Sequence, residues 1–121
     1  MDRILYIATY AIGFMIFFNG ILWLIDPVNS ANQLGMPILT GAGLSTQIGD
    51  FSSFFLVVGG FTLVGAYTKQ KHWFYAPIAL LSLAAVSRIT AYLIHNADLS
   101  TDKIFAELLI SAFLSIIVWR S

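Results

Sequence analysis

Three ionisable residues interrupt long apolar stretches of this chain: Asp50, Arg88 and Glu107. An arginine or aspartate at the centre of a bilayer costs about 2.5–3.5 kcal/mol even on mild insertion scales, so such side chains face inward and find partners. Arginine's planar fork can hold two carboxylates, or one carboxylate and an amide oxygen, which makes Arg88 the natural centre of the group. Asn19 supplies an amide from a further apolar stretch. The charged trio carries one net negative charge, so a protonated carboxyl, a cation or a polar headgroup would complete it. Two chemistries follow. The four residues could hold the polar head of an amphiphile, or Asp50 and Glu107 could exchange protons with a bound substrate.

Helical periodicity supports convergence. Glu107, Ser111 and Ser115 recur every four residues and mark a polar stripe, while Leu81, Ala84, Arg88, Ala91 and His95 share one face of their own segment. Asp50 lies over Ser53 and Val57, and Gly49 with Ser53 forms a small-residue pair suited to close helix contact. Glycines 59, 60 and 65 extend that tolerance.

The elements that must carry these residues are four apolar segments at about 4–25, 46–68, 73–95 and 102–119. A spanning helix needs about 20 residues, and the first segment covers about 33 Å at 1.5 Å per residue. No small-residue cleavage pattern follows it, so it reads as a retained helix rather than a signal peptide. The sequence therefore predicts an all-α fold: a single domain over 1–121, built as a four-helix transmembrane bundle. The connection from Asp26 to Ser45 holds Pro27 and Pro37. With Asp26 as N-cap and Pro27 at the first helical position, it predicts a short interfacial helix from Val28 to Leu34, ended by Gly35, that acts as a lid. Ser100 or Thr101 caps the last helix.

Composition agrees and excludes much. The chain has 121 residues, 59% of them hydrophobic and 10% charged, with a formal net charge of zero, so no basic footprint for nucleic acid exists. Cysteine is absent, which removes disulfides, thiolate metal sites and cysteine nucleophiles. His72 and His95 fall at opposite ends of one helix, about 34 Å apart at helical rise, and cannot share a metal. Arg3, Lys69, Lys71 and Arg120 flank one side of an even-numbered bundle and only Lys103 the other, so both termini are expected in the cytoplasm. Trp23, Trp73, Tyr75, Tyr92 and Trp119 near helix ends suit the headgroup layer.

Several stretches, FFNGILWLIDP, GDFSSFFLVVGGFTLVGAYTKQKHWFYAP, SRITAYL and FAELL, resemble the small bacterial membrane family catalogued as domain of unknown function 4345, over nearly the whole chain. That family is similar to the wider DoxX-like group of four-helix membrane proteins, some of which are linked to quinone-dependent oxidoreductases. The resemblance implies a multi-pass protein of the bacterial inner membrane. It aligns Arg88 with an arginine late in the third helix, Glu107 with a glutamate early in the fourth, and Asp50 with the polar opening of the second. Ser87 stands where the family pattern has glycine.

The leading expectation is a binding or accessory module whose outer-leaflet pocket, lined by Asn19, Asp50, Arg88 and Glu107, takes the head of a lipid-like molecule such as a quinone or isoprenoid. The alternatives are a proton-exchanging subunit or enzyme of a quinone-linked redox system, and a closed polar knot that only fixes helix register. No nucleophile or cofactor motif favours the enzyme. Membrane lipids are the expected partners, with apolar surface to spare for a homo-oligomer or a membrane complex.

Overall fold

A computed structural model describes residues 3–120, so residues 1, 2 and 121 of the expected domain lie outside the described residues. The described chain is all-helical: α1 (Arg3–Ile25), α2 (Pro27–Gln33), α3 (Gly41–Thr68), α4 (Tyr75–His95) and α5 (Thr101–Arg120), with a 3₁₀ turn, Lys71–Phe74, leading into α4. Three helical stretches, Arg3–Ile25, Gly41–Thr68 and Lys71–His95, are long and apolar enough to cross a membrane. The helix α5 differs by charge: with Asp102, Lys103, Glu107 and Arg120, every 18-residue stretch of it holds three charged side chains.

Local chemistry sets the boundaries. Pro27 has no N–H to continue α1 and pushes the preceding residue out of the helical region, and Asp26 indeed sits at φ −136°. The Asp26 carboxylate then accepts from Asn29 N–H at 3.4 Å and caps α2. Gly35 at φ +73° ends α2 in a left-handed turn, with Gly35 N–H donating to Asn32 and Met36 N–H to Ala31. That pair of bonds is the Schellman arrangement, which satisfies the last carbonyls of the helix. The expected short helix thus forms one residue earlier than its predicted bounds. The helix α3 begins at Gly41 rather than Thr46, because Gly41 and Gly43, read as loop residues, are taken into its first turn.

The helices pack as two antiparallel pairs, α1 with α3 and α4 with α5, joined through α3 and α4. In the first pair, a Cβ on Gly59 would lie 2.3 Å from the backbone nitrogen of Phe17 and 2.8 Å from the Gly13 carbonyl oxygen. The two backbones touch there. Leu63 packs on Gly13 and Leu56 on Gly20, so both the glycines and the leucines are spaced by seven residues. Seven residues are close to two helical turns, so that spacing keeps one face of each helix in contact along the pair. The same register sets Lys69 Nζ 5.2 Å from the centre of the Tyr6 ring. Gly49 and Ser53, expected at a close helix contact, are instead exposed, and a Cβ on Gly49 would meet nothing within 4 Å. They lie on a different face of α3 from Gly59.

Below the middle of the helices, Ile16, Val58, Phe74, Leu81, Leu114 and Ile117 form the buried core. Trp23, expected in an aromatic belt, is 1% exposed and stacks on Phe51 at 5.0 Å, because α2 folds back over the end of α1. Trp119, Tyr75 and Tyr92 do point outward.

A side chain that drew no notice in the sequence organises the connection after α2. Gln47, 3% exposed, accepts from Leu39 N–H at 3.0 Å through Oε1 and donates to the Pro37 carbonyl at 3.1 Å through Nε2. It ties the 34–40 segment to the start of α3. Two such bonds contribute about 1–3 kcal/mol together. Gln47→Leu is therefore expected to raise amide exchange at Leu39 roughly tenfold or more while leaving α1 unchanged. Hydrogen exchange read by mass spectrometry checks this, and unchanged exchange over residues 36–40 would refute the tether.

Candidate functional site

The two helix pairs together line an open cavity of ≈ 410 Å³. Each long helix contributes a polar group to it: Asn19 from α1, Asp50 from α3, Arg88 from α4 and Glu107 from α5. The structure thus brings all four expected site residues to one space. The rest of the wall is mainly apolar, with Met15, Phe54, Phe55 and Ile110 along the sides and Ile16 and Leu81 of the core beneath. Leu34, from the end of α2, reaches in from the connecting segment.

Only one of the anticipated ion pairs forms. Arg88 Nε donates to Glu107 Oε1 at 2.9 Å, with the arginine side chain 32% and the glutamate 12% exposed. The small Ala84, one turn before Arg88, leaves room for the guanidinium beside the cavity. Asp50 is exposed and makes no ion pair among the described residues, so Arg88 does not gather two carboxylates as its fork would allow. The reason is helix placement: α4 packs closely on α5 and much less on α3, which leaves Asp50 on the opposite wall.

A fifth polar residue, Lys103, also lines the cavity. Sequence reasoning counted it only as an external charge, yet it stands four residues before Glu107 and so on the same helix face. Its Nζ lies 3.7 Å from Asp102 Oδ2, whose side chain is 80% exposed, an arrangement of little energetic weight. With Lys103 included, the cavity carries two positive and two negative side chains, and the net negative charge expected of the trio disappears.

The serine stripe of α5 faces α4 in part. Ser111 is buried and shares a 2.8 Å hydrogen bond with Ser82, whereas Ser115 is exposed and donates to the Ser111 carbonyl of its own helix. Thr9 and Thr62, fully buried, likewise bond back to Leu5 and Val58 carbonyls at 2.7 Å. These hydroxyls are taken up in bonds within and between the helices. His95 is exposed and lines none of the cavities described. Among the described residues no group of three or more His, Cys, Asp or Glu side chains is placed to hold a metal ion.

A second space of ≈ 290 Å³ adjoins the first and shares Asn19, Leu34, Phe55, Lys103 and Ala106 with it. It runs under α2 past Ser30 and Gln33 to Asp102. The site therefore opens toward the end of the molecule that α2 covers.

Class and site are those of an all-helical chain with three helices suited to a membrane and a polar-headed, apolar-walled cavity. No family model, curated protein or solved structure matches the chain.

Proposed function

We propose that this chain is a small multi-pass membrane protein, a four-helix bundle of the bacterial inner membrane, that binds the polar head of a lipid-like or quinone-like molecule as an accessory or binding module. The observation that carries the reading is the cavity itself: polar groups from every long helix, two of them from α5, on a wall that is otherwise apolar. That is the usual composition of an amphiphile site, with few polar groups to orient the head and apolar surface for the rest. In this reading α5 is the fourth span, since Lys103 and Glu107 turn toward the cavity and Asp102 and Arg120 stand at its ends. The antiparallel order gathers Arg3, Lys69, Lys71 and Arg120 at the end away from the cavity, which the positive-inside rule assigns to the cytoplasm. The resemblance to domain of unknown function 4345 and the DoxX-like proteins belongs to the same proposal.

The apolar core below the cavity, with its self-bonded threonines, favours binding over transport. Native mass spectrometry of protein released from membranes tests the reading. The wild type is expected to retain an amphiphile that Arg88→Ala loses, with thermal unfolding confirming that the variant is folded. Wild type without any retained amphiphile, or equal retention by the folded Arg88→Ala protein, would reject it.

A further inference from the structure

The cavity is polarised from wall to wall, and this bears on the class of head it takes. On the α4/α5 wall, Arg88 meets Glu107 through Nε alone, and its two terminal amino groups make no hydrogen bond to the described residues. Lys103 stands beside it on the same wall, held only by the loose contact to an exposed Asp102. This wall offers positive charge and N–H donors. On the α1/α3 wall, Asp50 has no ion pair and no side-chain hydrogen bond among the described residues, while Asn19 lies deeper, at the level of residue 57 of α3 by the register of the α1/α3 pair. At Asp50 that wall offers negative charge and acceptor oxygens. Glu107, by contrast, is occupied in orienting Arg88.

From this arrangement we propose that the head is zwitterionic: a phosphate against Arg88 and Lys103 and a primary ammonium against Asp50, the chemistry of a phosphoethanolamine phospholipid. The inference rests on the reading of the cavity as an amphiphile site and adds the class of amphiphile. Phosphate suits a guanidinium edge with two free donors, and a primary ammonium can give charge-assisted N–H bonds to a carboxylate. An uncharged quinone-like ring brings no charge to set against Asp50 or Lys103. A phosphoglycerol head supplies nothing positive to Asp50. A choline head keeps the charge but has no N–H to donate.

The test uses the full chain in detergent, offered equal amounts of phosphatidylethanolamine, phosphatidylglycerol and phosphatidylcholine with identical acyl chains, together with a benzoquinone-headed isoprenoid. Native mass spectrometry reads retention. Phosphatidylethanolamine is expected to be retained about tenfold over phosphatidylglycerol, the effect of one hydrogen-bonded charge contact. Asp50→Asn, an exposed and nearly isosteric change, should abolish that preference while phospholipid is still retained. Lys103→Gln should weaken all three phospholipids together. Equal retention of the three, a preference unmoved by Asp50→Asn, or preferential retention of the quinone would overturn the zwitterion while leaving the amphiphile site standing. Displacement by free phosphoethanolamine at the same concentration would overturn the lipid in favour of a soluble ligand. Retention of nothing, or equal retention by Arg88→Ala, takes down the underlying reading instead.

Discussion

Gly59→Val is expected to part α1 from α3 and to lower stability by at least about 1–3 kcal/mol, the usual range for overpacking a well-filled site. The upper end is the better guide, because the added Cβ would lie 2.3 Å from Phe17 N and 2.6 Å from Phe17 Cα, backbone atoms that no rotamer change can move. In lipid the loss is not recovered elsewhere: apolar side chains gain little by leaving acyl chains, and helix association depends on close backbone packing. Gly49→Ala is the control, since its Cβ meets nothing within 4 Å and alanine is the better helix former by about 1 kcal/mol. Unfolding in detergent, followed by circular dichroism with rising dodecyl sulfate, should show Gly59→Val melting well before the wild type and Gly49→Ala no earlier. A Gly59→Val protein as stable as the wild type would mean that the α1/α3 contact is not where the structure puts it.

That pair of glycines also marks what a sequence can and cannot disclose here. Small residues announce where a helix tolerates a close neighbour, but not which face receives one. Ten residues at about 100° each set Gly49 and Gly59 about 80° apart around α3, and only three dimensions choose between them. The same holds for Gln47, whose partners are backbone groups of a loop with no periodicity to read. Helix ends were legible where residue chemistry is local, as at Asp26, Pro27 and Gly35, and illegible at Gly41, where glycines usual in loops open a helix. The site fared differently. A charge in an apolar helix can turn in few directions, so the meeting of Arg88 and Glu107 at one cavity follows from cost, while the uncharged Asn19 and the exposed Asp50 line the same space without that constraint. The pairing does not follow from cost. Which carboxylate takes the arginine depends on which helices touch, and Lys103 joins the cavity by a spacing that only matters once Glu107 is known to face it.

The Arg88–Glu107 pair lends itself to a separation of structure from binding. Arg88→Met alone leaves Glu107, 12% exposed, without its partner, and Glu107→Leu alone strands the arginine. Each single change is expected to destabilise by about 1–3 kcal/mol, toward the lower value because Arg88 is about one third exposed and water screens it. The double variant Arg88→Met/Glu107→Leu should recover that loss or exceed the wild type, as apolar replacements of partly buried ion pairs often do. A polar knot that merely fixed helix register would then have been dispensable or stabilising to remove, and retention of lipid would be unaffected. If the cavity is a binding site, the double variant instead becomes a stable protein that no longer retains an amphiphile. Unfolding curves and native mass spectra of the four proteins in the cycle decide this together. Recovery of stability with loss of ligand places the pair in binding, whereas recovery with ligand kept would return Arg88 and Glu107 to a purely structural part.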